Sequence, residues 1–236
     1  MIVTPVYRGA PVEAVGTVVH AHVGALLIAD AHWDASLLAM PTLEPDSPFV
    51  IALHGPLDVA HGEGVAVTGV WTGRGIDVRT AARRNVAPPP PQPLRGGLRP
   101  RPPGIPGPPT EIEVRLLADG TMTDRLPYGD GTLHVVADDV DTVADALTPV
   151  YGDRLRVHRA MFSQQQRRVA TAALHVADAL EVACAVGTTP LDDARPAEMV
   201  NTLEVGWVPD VLAEALVAVP DGLVEVTAHV RVMQPR

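Results

Sequence analysis

The chain has 236 residues and a net charge of −10, and all 18 of its basic side chains are arginine. The absence of lysine excludes a lysine Schiff base, a phosphate-loop lysine and a lysine general base. Because an acidic chain repels nucleic acid as a whole, nucleic-acid binding would require a local basic face.

Hydropathy and composition also limit the setting of the protein. No apolar run approaches the roughly 18 residues of a membrane span, and no basic segment followed by an apolar one marks a signal peptide at the N-terminus. We therefore expect a cytoplasmic protein without membrane contact. Arginine in place of lysine, with abundant alanine, valine, glycine and proline, is typical of a GC-rich, actinobacterial-type genome.

A proline-rich segment divides the sequence at Ala87–Pro109, which contains 11 prolines and 4 glycines. Proline cannot donate a backbone hydrogen bond and it breaks helix interiors, so this segment predicts a semi-rigid polyproline II linker. We predict a domain on each side of it, over residues 1–86 and 110–236.

The N-terminal region shows the two-residue period of β-strands. Val15–Val23 alternates, Gly24 interrupts it and Ala25–Ala29 continues, which predicts one first strand with a bulge or bend at the glycine. Further short strands are predicted at Ser36–Met40, Phe49–Leu53, Val65–Trp71 and Ile76–Ala82.

Two stretches of this region carry a resemblance to a known fold, Gly16-Thr17-Val18 near its start and residues 64–78 near its end. Five short strands with a bent first strand and a closing hairpin resemble the OB-fold, a small Greek-key barrel. The resemblance implies a ligand face on the barrel. Because many OB-folds carry a helix between their third and fourth strands, and only Pro56–Glu63 is available here, an SH3-like barrel is the alternative.

Beyond the linker the pattern becomes mixed. Helices are predicted at Asp141–Leu147, from an N-cap at Ser163 whose capping box is completed by Gln166, and at Asp210–Val219. Strands are predicted at Glu111–Leu117, Thr132–Val136, Leu155–His158, Glu181–Val186, Val200–Val205 and Leu223–Met233. This order predicts a ferredoxin-like sheet with helices on one face.

Two stretches of this region resemble each other at an offset of 69 residues. Residues 141–157 and 210–226 are identical at six of 17 positions. Both a true duplication and a shared strand–helix–strand pattern explain the identity.

Histidines are the candidate metal ligands. His20 and His22 share one face of a strand at a period of two, and His32 follows in a loop. Imidazoles of this kind hold zinc or iron. The alternative is that His20 and His22 simply lie on the solvent face of the strand.

Other chemistry has weaker signals. Cys184 lies in an apolar run that predicts a buried, inert thiol. Ser163 already serves as a helix cap, and the glycine pairs at 62–64 and 73–75 predict turns, because neither leads into a helix. We therefore predict no cofactor.

The barrel offers a candidate binding face formed by Trp71, Arg74, Arg79 and Trp33, since aromatic and basic side chains together suit a macromolecular ligand. We predict a non-enzymatic binding protein whose barrel contacts a protein partner. The alternatives are single-stranded nucleic-acid binding and a metal-dependent enzyme built on the three histidines. The sequence leaves the oligomeric state open.

Overall fold

A computed structural model describes residues 4–29, 47–48, 50–84, 108–128, 130–191 and 198–233. Before residue 85 the described elements are strands, namely β1 Pro11–Ala21, β2 Gly24–Ala29, β3 Val50–His54, β4 Gly64–Trp71 and β5 Gly75–Arg83. The predicted strands at Phe49–Leu53, Val65–Trp71 and Ile76–Ala82 are therefore confirmed to within a residue or two. The predicted strand at Ser36–Met40 lies outside the described residues.

These strands form a ring-like sheet. β1 pairs with both β2 and β4, β2 pairs with β3, and β5 lies between β3 and β4. Only β3 and β5 run parallel. Gly16 faces Ala29 on one side and Val65 on the other. A Cβ there would lie 2.1 Å from the carbonyl oxygen of Ile28, so the close approach of β1 and β2 requires glycine at this position.

Gly24 does not bend a single strand as predicted. It follows a tight turn that ends β1 at Ala21, and it begins the antiparallel partner β2. Its φ of +121° is in the region that favours glycine. The sequence shows the interruption, but both a bulge and a hairpin turn place glycine there.

The described residues after 107 form helices and strands, namely α1 Glu111–Asp119, β6 Met122–Pro127, β7 Leu133–Ala137, α2 Val140–Tyr151, β8 Leu155–Arg159, α3 Gln164–Ala179, β9 Ala183–Pro190, β10 Met199–Val205, α4 Asp210–Val217, β11 Val224–Ala228 and β12 Val230–Val232. None of the described helices is both long and apolar enough to cross a membrane.

The predicted strand at Glu111–Leu117 is wrong, because α1 occupies it. Thr110 caps this helix in a reciprocal capping box with Glu113. The buried side chains are Glu113 and Leu116, three residues apart as on one helix face. The alternation of Ile112, Val114 and Leu116 is also typical of a strand with one buried face. In the structure, however, the Val114 side chain is 54% exposed and does not share a buried face with Leu116.

Two copies of one unit follow each other where a single ferredoxin-like sheet was predicted. The order α1-β6-β7-α2-β8 is repeated as α3-β9-β10-α4-β11. Each unit has its own three-stranded sheet, in which the first two strands are antiparallel and the last two parallel. We call them the first and second repeat.

Details of packing repeat as well. Val143 and Leu147 are buried in α2, and Leu212 and Leu216 are buried in α4, which is the offset of 69 seen in the sequence. Both sheets also contain a β-bulge at the start of their first strand. The structure therefore favours duplication over a merely shared pattern.

The predicted last strand at Leu223–Met233 is divided between two sheets. β11 pairs with β10 in the second repeat, whereas β12 pairs with β1 of the ring. Val230 is fully buried in the ring core, and Trp207 packs against the cores of both the ring and the second repeat. The structure therefore does not confirm two separately folded domains, since the ring and the second repeat share a strand connection and a core residue.

The shared core predicts that a change in the last strand destabilises the ring. Val230→Ala should lower the free energy of unfolding by about 2 kcal/mol, because it removes buried methyl groups and leaves a cavity. Val217→Ala is the matched control, since Val217 is 83% exposed and should change stability by less than about 0.5 kcal/mol. Urea titration followed by tryptophan fluorescence measures both. Equal effects of the two substitutions would contradict the shared core.

Candidate functional site

One face of the ring collects exposed side chains around β3. Leu53 of β3 lies opposite Ala25 of β2 on one side and opposite Ile76 of β5 on the other. The turn before β2 and the turn before β5 therefore flank the same end of β3. His22 and Val23 lie in the first turn, Arg74 lies in the second, and His54 ends β3. We call these four residues the β3 face.

Glycine shapes this surface. A Cβ at Gly75 would lie 2.7 Å from Nε2 of His54, so the imidazole ring occupies the space that a larger residue would need. Val23 is 52% exposed, and His22, His54 and Arg74 are exposed as well. The β3 face thus combines an exposed apolar side chain with titratable and cationic groups, which suits contact with another molecule.

Trp71 does not belong to an exposed face. Its side chain is 2% exposed, and its ring centroid lies 5.2 Å from that of Trp207. In β4 the buried positions alternate through Val65 and Val67 to Trp71, so Trp71 shares their inward direction. Its predicted role in binding is corrected to a role in the core.

The other predicted face residues lie apart from Trp71. Arg74 and Arg79 are exposed. Arg79 lies at a β-bulge, because Thr68 faces Thr80 whereas the next residue, Gly69, faces Val78. A bulge redirects the side chain that it carries. Trp33 lies outside the described residues.

Two of the three predicted histidine ligands, His20 and His22, belong to the described part of the chain. His20 is the penultimate residue of β1, and its Nε2 lies 2.8 Å from the carbonyl oxygen of Val59. His22 lies in the turn beyond β1, so the two do not share a strand face, and His32 lies outside the described residues. No group of three His, Cys, Asp or Glu side chains suited to a metal occurs among the residues that the structure describes.

β1, β2 and β3 also carry buried apolar side chains that do not belong to the ring core. Val19, Leu26, Ile28 and Val50 form a separate cluster and are at most 4% exposed. These strands therefore offer no solvent-facing surface on which bases could stack at these positions.

The side chain of Cys184 is half-buried, whereas a buried and inert thiol was predicted. Burial, together with the charge of Glu204, raises its pKa to about 12. Because the thiolate is the nucleophile, a thiol with this pKa is almost entirely protonated near neutral pH. Ser163 caps α3 in a capping box with Gln166, as predicted.

A buried carboxylate organises the first repeat. Glu113 is 0% exposed, and it accepts hydrogen bonds from Nε of Arg125 at 2.5 Å and from the Tyr151 hydroxyl at 2.7 Å. Burial raises the pKa of Glu113, but the hydrogen bonds from Thr110, Arg125 and Tyr151 outweigh it and hold the pKa below 4.5. These contacts join α1, β6 and α2, so the group serves the structure.

A second polar cluster joins the two repeats. Arg167 of α3 contacts Asp124 of β6 at 3.0 Å and Glu198 at 3.1 Å. Glu198 is 1% exposed and also accepts a hydrogen bond from the backbone of Met161. Burial raises the pKa of Asp124 more than the charge of Arg167 lowers it. The contact between Arg167 and Asp124 joins the second repeat to the first, which indicates that the cluster fixes the described parts of the repeats against each other.

A histidine pair links β7 and β8. Nδ1 of His134 lies 2.9 Å from Nε2 of His158, and the ring of Tyr128 lies 4.4 Å from that of His134. Burial and the nearby charges of His158 and Arg156 lower the pKa of His134. One of the two ring nitrogens donates a hydrogen bond that the other accepts, and this contact holds two neighbouring strands together.

Three features of these sites were not predicted from the sequence. The contact between Trp71 and Trp207 was not predicted because the two residues are distant in sequence. The position of Trp207 just after a predicted strand was the one feature of the sequence that indicated a packing role. Glu198 and Glu113 are buried acidic side chains, which composition cannot distinguish from surface acids.

Comparisons with known proteins leave the function to be argued from these observations. No protein-family model, no curated protein and no solved structure matches the chain.

The buried carboxylate of the first repeat gives a pH-dependent prediction. Glu113→Gln should lower the free energy of unfolding by about 3 kcal/mol at pH 7, because Arg125 is left buried without a counter-charge. Since the folded-state pKa of Glu113 lies below 4.5, the stabilisation is present above that pH and is lost as the pH falls through the folded value.

Denaturant titrations from pH 7 to pH 3 measure this effect. Glu111→Gln is the matched control, because Glu111 lies exposed in the first turn of the same helix. The gap between wild type and Glu113→Gln should narrow as the pH falls. A gap that stays constant, or one as small as that of the control, would show that Glu113 is not an ionised partner of Arg125.

Proposed function

We propose that the chain is a non-enzymatic binding protein, and that its ring is an OB-type barrel which contacts a protein partner through the β3 face. The strand pairings β1–β2–β3–β5–β4–β1 close a ring of five strands, which supports the proposal of a small OB-type barrel. OB-folds bind their ligands on the β2–β3 surface and on the loops between β1 and β2 and between β4 and β5. In this chain those two loops carry His22, Val23 and Arg74.

The observation that carries the proposal is the register of β3. Leu53 pairs with Ala25 of β2 on one side and with Ile76 of β5 on the other. The turn before β2 and the turn before β5, which correspond to the ligand-binding loops of OB-folds, therefore border one surface. That surface has an exposed valine and an exposed arginine, and arginine is enriched at protein interfaces.

A protein partner is favoured over single-stranded nucleic acid. Stacking of bases requires exposed rings, and the described β3 face has none other than its imidazoles. The predicted stacking residue Trp71 is in the core. The chain also carries a net charge of −10, which opposes a polyanion.

A comparison of variants of the full chain tests this proposal. Tagged wild type and Arg74→Glu would be used to capture partners from the native cell, with Arg168→Glu as the matched control on the exposed side of α3. Reversal of an interface charge should reduce recovery of the specific partner about tenfold or more, while the control should retain it.

Two outcomes would contradict the proposal. Recovery of the same partners by Arg74→Glu would exclude the β3 face. A labelled single-stranded oligonucleotide that binds at low salt, and that Arg74→Glu no longer binds, would replace the protein partner with nucleic acid.

A further inference from the structure

A cleft of about 350 Å³ lies where the chain passes from the second repeat into the ring. Its walls come from β1, from the end of β5, from β10 and from the β11–β12 connection. Clefts of this size between structural units are common sites for small ligands. None of the four residues of the β3 face lines it, so it is a separate site.

Charges of both signs line this cleft. The charged or titratable side chains are Glu13, Arg84, Glu204, His229 and Arg231. Glu13 of β1 lies directly opposite Arg231 of β12 in the strand register. Glu204 of β10 lies 2.8 Å from Nε2 of His229. Acidic and basic groups therefore face the same space from the ring and from the second repeat.

The remaining lining is small and largely apolar. Ala14, Val15 and Ala228 contribute it, together with Thr227. Small side chains leave room for ligand atoms near the charged groups, while the apolar surface favours a ligand with a short hydrocarbon part.

We propose that this cleft binds a small zwitterion of the size of a dipeptide with free ends. A ligand with one charge would be attracted by the groups of opposite sign in the cleft and repelled by those of its own sign. A zwitterion places its carboxylate near the guanidinium group of Arg231 and its ammonium near the carboxylate of Glu13. Because the lining comes from both the ring and the second repeat, the bound molecule would bridge them.

The test uses the full-length chain, labelled with ¹⁵N, and three related peptides. The zwitterion is L-alanyl-L-alanine, the anion is its N-acetyl form and the cation is its C-terminal amide. The expected result is a saturable shift of backbone amide signals at residues 227–231 with the zwitterion. The two singly charged peptides should bind at least about tenfold more weakly, because each lacks one ionic contact.

Variants identify the charged groups. Glu13→Gln and Arg231→Gln should each weaken binding of L-alanyl-L-alanine about tenfold, and Arg168→Gln, exposed on α3, should not. If a cleft variant fails to fold, the comparison of the three peptides on the unchanged chain still decides the question.

Three results would overturn the proposal. One is the absence of a saturable shift with the zwitterion, and another is equal binding of all three peptides. The third is full binding by a folded Glu13→Gln or Arg231→Gln variant. None of these results depends on the β3 face, so they leave the proposed protein interaction unaffected.

Discussion

The packing of Trp71 against Trp207 is the interaction on which the rest of the structure depends. Trp71 belongs to β4 of the ring, and Trp207 follows β10 of the second repeat. Hydrogen bonds from Val6 to the carbonyl of Val208 at 2.7 Å and from Val230 to the carbonyl of Gly206 at 2.9 Å fix the same junction. Because β12 then pairs with β1, the ring core is completed only by residues from the far end of the chain.

The repeats build outward from this junction. Each is a three-stranded sheet with two helices, and such a small unit buries a limited core. Ionised side chains supplement that core, with Glu113 and Arg125 inside the first repeat and Arg167 between the two repeats. The second repeat in turn contacts the ring at Trp207. The β3 face and the charged cleft are the two surfaces for which we propose binding.

Local signals were sufficient for much of the fold. Alternation predicted β4 and β5, and a serine followed three residues later by glutamine predicted the start of α3, because these features depend on neighbouring residues. The same alternation gave a wrong prediction of a strand at Glu111–Leu117, where the N-cap Thr110 stabilises a helix instead. It also failed at the last strand, since the residues on both sides of His229 share one continuous pattern while pairing with different sheets. Trp71 was predicted to lie on an exposed face because composition does not show which side of a strand is covered. Its spacing from Val65 and Val67, however, places all three side chains on the same side of β4.

The most direct test of the shared core is cleavage of the chain within the proline-rich segment. A specific protease site in place of Gly96-Gly97 would cut the purified full-length protein into two pieces, which are then analysed by size-exclusion chromatography and denaturant titration. Because the ring core includes Val230 and contacts Trp207, the pieces should elute together and lose their tryptophan signal in a single transition. Pieces that separate under native conditions, each folded and with its own transition, would contradict this account.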